Sequence, residues 1–134
     1  LADDLVDLTS DSSKSGKTGS ALMTAYSGDN DIGKLAWHDG NSSQKTHPVG
    51  KKTPNALGLY DMSGNVYEWC SDWFGHYPAA ALTNPKGPKS GFERVRRGGA
   101  WGSDWQHSCR VAIRDFVFPN HRYIDTGLRL ARTN

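Results

Sequence analysis

Hydrophobic residues come in short groups along this chain and never in one long run. Leu1, Leu5 and Leu8 repeat at helical spacing, then give way to a Ser/Gly/Lys-rich stretch, Ser10 to Ser20, that reads as a flexible connector. Residues 21–45 hold Tyr26, Ile32, Leu35 and Trp37 among Gly, Asp and Asn, a pattern that predicts a loop with hydrophobic pins. Val66, Tyr67 and Trp69 are large and β-prone, which predicts a strand with bulky residues on both faces. Gly75, Pro78, Pro85, Gly87, Pro88 and Gly91 then punctuate a long loop. Beyond it, Phe92 to Arg97 alternates. Cys109 to Arg114 alternates too, with Cys109, Val111 and Ile113 on one side, and Leu128 to Arg132 reads as a last strand. Three late strands at close spacing predict an antiparallel sheet.

The 134 residues suffice for one domain with a single core, assigned to residues 21–134 after a linker over 1–20. Only 36% of the residues are hydrophobic, while Gly counts 15 and Trp 5. That mixture predicts loops and turns pinned by a few large aromatics. Sixteen Lys and Arg against fourteen acids leave a formal charge of +2, too small to predict attraction to nucleic acid. Arg94, Arg96 and Arg97 read as a solvated or ion-paired face of their strand. No apolar stretch approaches the ~20 residues of a membrane span. The start, Leu1-Ala-Asp-Asp, shows no signal-peptide pattern and no initiator Met, so the chain reads as a segment whose location the composition does not fix. Two cysteines, Cys70 and Cys109, leave open one bridge or two buried thiols.

The sequence motifs are more specific. They are Thr46-His-Pro-Val-Gly, Pro54 to Trp73 (with Gly-Leu-Tyr-Asp-Met-Ser-Gly-Asn-Val-Tyr-Glu-Trp inside it), Arg94-Val-Arg-Arg-Gly-Gly-Ala-Trp101, Cys109-Arg-Val-Ala-Ile-Arg114 and Gly127-Leu-Arg-Leu-Ala-Arg132. In this order they resemble the formylglycine-generating enzyme (sulfatase-modifying factor) family, over about residues 26–132. The resemblance implies an α+β, loop-rich, C-type-lectin-like fold with a twisted antiparallel sheet. It also implies a longer domain, since the family's upstream Thr-Glu-Ala-Glu-Trp signature is not visible here.

Three chemistries follow from that resemblance. Relatives use positions matching Asp61, Gly64, Val66 and Glu68 for a structural calcium, and two carboxylates with two turn carbonyls are the hard oxygens calcium seeks. The alternative is that Asp61 caps the turn and Glu68 accepts a buried hydrogen bond from a Trp or Arg. Formylglycine-forming relatives need paired cysteines and copper after the Gly-Gly element. Here the first position is Ser103 and the second Gln106 or Ser108, so an oxidoreductase acting through Cys109 alone is the secondary reading. Another branch binds iron with three histidines, but His38, His47, His76, His107 and His121 show no ligand spacing.

Residues 102–125 follow no framework pattern. Phe116, Phe118, His121, Tyr123 and Ile124 surround Pro119, which bars a helix there. This stretch resembles the variable proteins of diversity-generating retroelements, treponemal ones above all, in which template adenines are rewritten within a variable region, here about 98–132. An Asn codon altered at its first two bases cannot give Trp, Gln, Glu, Lys or Met, which leaves Trp101, Trp105 and Gln106 fixed. The reachable set is Gly102, Ser103, His107, Ile113, Asp115, Phe116, Phe118, Asn120, His121, Tyr123, Ile124 and Asp125. The expectation is a non-catalytic module that requires no cofactor and binds a protein or cell-surface ligand, with surface display implied by the resemblance. Phe116, Phe118, Tyr123 and Ile124 would be its apolar anchors, because aromatics give wide contact for little rotamer entropy. Ser103, His107, Asp115, Asn120 and Asp125 would add polar contacts. A third reading is a purely structural domain of a larger protein. Two framework expectations complete the set: Gly98-Gly99 permits a close backbone approach, and Arg114 and Arg129 pair with Glu68 or Asp72.

Overall fold

A computed structural model describes residues 24–103 and 106–131. Leu1 to Ser20, Trp105 and Arg132, for which the sequence raises expectations, lie outside these residues. Among those described, the strand expected at Val66–Trp69 forms as β1 (Tyr67–Trp73). Its partner is β2 (Arg94–Arg97), the alternating Arg-Val-Arg-Arg run. Pairing is antiparallel, with Glu68 opposite Arg97 and Trp73 opposite Arg94, so Cys70, Ser71 and Asp72 bulge against the single Val95. A bulge re-aims a strand. This one is filled by Arg94, which donates to the Ser71 carbonyl and lies 3.6 Å over the Trp73 ring.

The last strands differ from the sequence expectation. Cys109–Arg114 is not a strand: a 3-10 turn, Gln106–Cys109, precedes β3 (Asp115–Val117). The alternation reports burial correctly, since Cys109 is buried and Arg110 exposed. The backbone between them turns, with Arg110 N–H donating to His107 O and Ile113 N–H to Arg110 O. The guanidinium of Arg97 takes the Val111 and Ile113 carbonyls that a sheet neighbour would have used. Likewise β4 covers only Thr126–Gly127 and runs parallel to β1, so the sheet is mixed, ordered β3-β2-β1-β4. Among the described residues past Gly127, Arg129 embraces Glu68, while Leu128 and Leu130 stay exposed.

Residues 24–45 supply the pins, as expected, but also two single-turn helices. Asp31 caps α1 (Ile32–Leu35) and His38 caps α2 (Asp39–Ser42). Ile32, Ala36 and Cys109 form a small core with Tyr26 against it. Leu35, Tyr67, Cys70, Val95 and Ala100 are buried as well, and buried polar groups tie the loops around them. Asn65 is the hub: its amide side chain accepts from His47 N–H and donates to His47 O, its own N–H donates to Trp37 O, and its carbonyl accepts from Trp101 N–H. Ser63 Oγ donates to Cys109 O, and Ser42 Oγ to Trp101 O. Gly64 lets these strands of chain meet. Its φ is +75°, and a Cβ there would lie 2.5 Å from the Trp37 carbonyl oxygen.

Candidate functional site

Alternation along β2 puts Arg96 on the opposite side from the buried Val95, where it is only 8% exposed. A buried guanidinium must be paired, and two aspartates do this. Asp115 Oδ2 accepts from Nε at 2.8 Å and lies 2.7 Å from Nη2; Asp125 Oδ1 accepts from Nη1 at 2.9 Å. Thr126 Oγ1 accepts from the same Nη1 at 2.6 Å. The cation also lies 4.0 Å over Tyr67 and 5.3 Å from the Tyr123 centroid. One arginine thus ties both ends of the segment from Asp115 to Asp125. The sequence reading gave Arg96 only a solvated or ion-paired face. Its signal was a charge central in a β-strand with two aspartates downstream.

Aromatics project from that tied segment. Phe118 and His121 have ring centroids 5.5 Å apart, His121 and Tyr123 6.2 Å, and Tyr123 Oη sits 3.4 Å from His121 Nδ1. Phe118 is 47% exposed, Ile124 85%, and Asn120 and His121 are exposed as well. Phe116 stands slightly apart, 4.0 Å from Phe74, and is half-exposed. His107 is exposed on the 3-10 turn.

Other expected contact residues face inward. Asp115 and Asp125 both pair with Arg96, so in this structure their carboxylates hold the framework. Ser103 is a correction of the same kind: its Oγ accepts from Ala100 N–H and its own N–H donates to Ala100 O, closing a tight turn. Gly102 lies in that turn. Ile113 is half-buried, its carbonyl on Arg97.

The thiols are also settled by position. Cys70 and Cys109 are both free and buried, so the bridge is not formed. Burial pushes each thiol up to about 11, with Asp72 adding to the effect at Cys70 and Asp39 at Cys109. Cys109 is packed under Gly99 (φ +74°), where a Cβ would lie 2.5 Å from the sulfur. The close approach expected of Gly98-Gly99 is therefore to Cys109.

At the Asp61–Glu68 turn, Arg129 donates to both Glu68 oxygens at 2.6–3.0 Å and to the Tyr60 and Asp61 carbonyls. This is the hydrogen bond from an arginine foreseen for Glu68, while Arg114 pairs with neither Glu68 nor Asp72. Asp61 Oδ2 accepts from Gly50 N–H, but Oδ1 is buried with no partner among the described residues. That orphaned oxygen fits an oxygen-seeking cation. A carboxylate has about four acceptor sites, so Glu68 retains capacity beside Arg129. Among the described residues no three His, Cys, Asp or Glu side chains gather as a metal site, so any such ion would rest largely on carbonyls. No helix there is long and apolar enough to cross a membrane.

Comparison with known proteins places this geometry. Residues 11–134 match the family model of the sulfatase-modifying factor enzyme 1-like domain. A serine/threonine-protein kinase pkn1 of Chlamydia caviae is 51% identical over 94 residues, 67% of this chain and 15% of its own. The formylglycine-generating enzyme of Mus musculus is 40% identical over 91 residues, 66% of this chain and 24% of its own. Treponema denticola variable protein 1 superimposes with a TM-score of 0.73 at 40% identity, over 78% of this chain and 39% of that one. The chain thus spans about a quarter or less of those two curated relatives and well under half of the solved structure.

Proposed function

The chain belongs to the sulfatase-modifying factor enzyme 1-like family and has its α+β, loop-rich, C-type-lectin-like fold; from that premise we propose that it is a ligand-binding module of the variable-protein kind, without catalysis of its own. The observation that carries this reading is the row of exposed Phe118, His121 and Ile124 with half-buried Tyr123 among them, on a segment clamped at both ends by Arg96. Clamped ends reduce the ordering cost on binding, and exposed aromatics supply contact area. Partly exposed Phe116 extends the row. The ligand class is a protein or cell-surface structure, displayed to by a surface-located protein.

The oxidoreductase reading has less support. Attack requires a thiolate and access to it, and Cys109 has a raised pKa and lies under Gly99. No second thiol follows the Gly-Gly element. A structural calcium would sit at Asp61 and Glu68 with the Gly64 and Val66 carbonyls, contributing stability and no chemistry.

Sequencing sibling genes from one population tests the binding role. Differences should fall at Phe116, Phe118, Asn120, His121, Tyr123 and Ile124 and spare Arg96, Asn65 and Gly64. Differences scattered evenly through β1 and β2 would refute it.

A further inference from the structure

We propose that the loop joining β1 to β2 forms a second binding site, one that takes an acidic-apolar peptide segment of a protein partner by pairing its carboxylate with Arg114. The loop encloses a cleft of about 500 Å³ walled by Tyr77, Leu82, Pro85, Lys86, Pro88 and Arg114. That volume lies within the ~300–1,000 Å³ common for ligand sites.

The arginines around this sheet have unequal partners: Arg94 and Arg97 are taken up by backbone carbonyls. Arg96 holds two aspartates and Arg129 holds Glu68. Arg114 has no carboxylate within ion-pair distance among the described residues. Its Nη2 donates to Gly75 O at 2.8 Å, and its guanidinium carbon lies over the Tyr77 ring, 3.7 Å from the centroid. The ring contact and the single tie to Gly75 hold the fork in place and leave most of its five N–H donors unused, which suits bidentate capture of a carboxylate. Charge points the same way. Lys86 and His76 line the cleft with Arg114, and no Asp or Glu does. Asp72 lies beneath Gly87, outside the lining. The remaining walls are Tyr, Leu and Pro, so the ligand needs an apolar body around its anion.

The cleft is built before anything binds. A Cβ on Gly75 would lie 2.6 Å from Pro88, so the neck of the loop closes only because that residue is glycine. Gly91 packs on Trp73 at the other end. Such preorganisation lowers the ordering cost of capture. The site uses none of the exposed Phe118–Ile124 row and stands whether or not that row varies.

A fluorescein-labelled hexapeptide with one glutamate between two leucines is the probe, followed by polarisation on the whole chain. Saturable binding is expected, weakened tenfold or more when the glutamate becomes glutamine and lost with Arg114→Gln. Leu82→Ser, which leaves the Arg114–Gly75 tie intact, should weaken it about threefold to tenfold. Phe118→Ala with Tyr123→Ala should leave it unchanged, which separates failure here from failure of the row. Equal affinity for the two peptides would overturn the proposal. So would indifference to both cleft variants, or capture of free 3-phenylpropionate in place of the peptide.

Discussion

Replacing Arg96 by methionine keeps most of the side-chain volume and removes the fork. Two aspartates, a threonine hydroxyl and the Tyr67 face then lose their cation. Removing one partner of a buried ion pair costs about 3–5 kcal/mol. The side chains of Asp115 and Asp125 are 34% and 30% exposed, so water recovers part of their solvation and the ionic share falls to about 2 kcal/mol. Loss of the cation–π contact adds about 0.5–1 kcal/mol. The sum, roughly 2–3 kcal/mol, is a large part of an ordinary domain's ~5–15 kcal/mol. Urea denaturation of Arg96→Met should show it as a lower midpoint at unchanged slope. Amide exchange between Phe118 and Ile124 should quicken more than that in residues 32–42. Combined with Asp115→Asn, the cycle should give a coupling of about 1 kcal/mol or more. A loss under about 0.5 kcal/mol, or no coupling, would refute the claim that this guanidinium organises the segment.

Other outcomes follow from the same geometry. Both thiols are raised from near 9 to about 11, so each favours the folded state while protonated. That contribution, about 2–3 kcal/mol apiece, is complete below pH 9 and lost as pH rises through 11. A variant with both cysteines changed to alanine should have a flatter stability profile over pH 9–11, and an unchanged slope would count against burial as the cause. Native alkylation of either thiol by iodoacetamide at pH 8 should be at least tenfold slower than in urea. Gly64→Ala should cost 3 kcal/mol or more, because the added methyl meets the Trp37 carbonyl at φ +75°; calorimetry would reveal a harmless change if the turn can relax. Millimolar calcium should raise the melting temperature by several degrees and leave Asp61→Asn untouched, whereas equal shifts in both proteins would remove the ion from the turn.

Much of the framework was legible in advance because it rests on local chemistry. Val66, Tyr67 and Trp69 are β-prone and bulky, which points to the strand that forms as β1, and the Gly and Pro between Gly75 and Gly91 mark a loop. The Cys109–Arg114 error has a definite source. Alternation records which side chains go inward, and a turn-rich path can bury every second residue as well as a strand does. What decided between them was Arg97, a residue far away in sequence whose guanidinium claims the Val111 and Ile113 carbonyls. Similarly, Asp115 and Asp125 look like free polar contacts until Arg96 is placed between them. Long-range ion pairing leaves no periodic trace. The exposed aromatics were recognisable for the opposite reason: in a segment around Pro119, with no period, they had no core position to occupy.

The knot at Arg96 makes the stretch between the two aspartates resemble the handle of a bag, both ends sewn to one rivet. Closing a flexible loop grows only slowly more costly with length, about 0.6 kcal/mol per doubling. With its ends already sewn, the handle's fabric can be exchanged, or lengthened by a few residues, while the seam and the body stay as they are. Sequence change there would leave the seam and the core untouched.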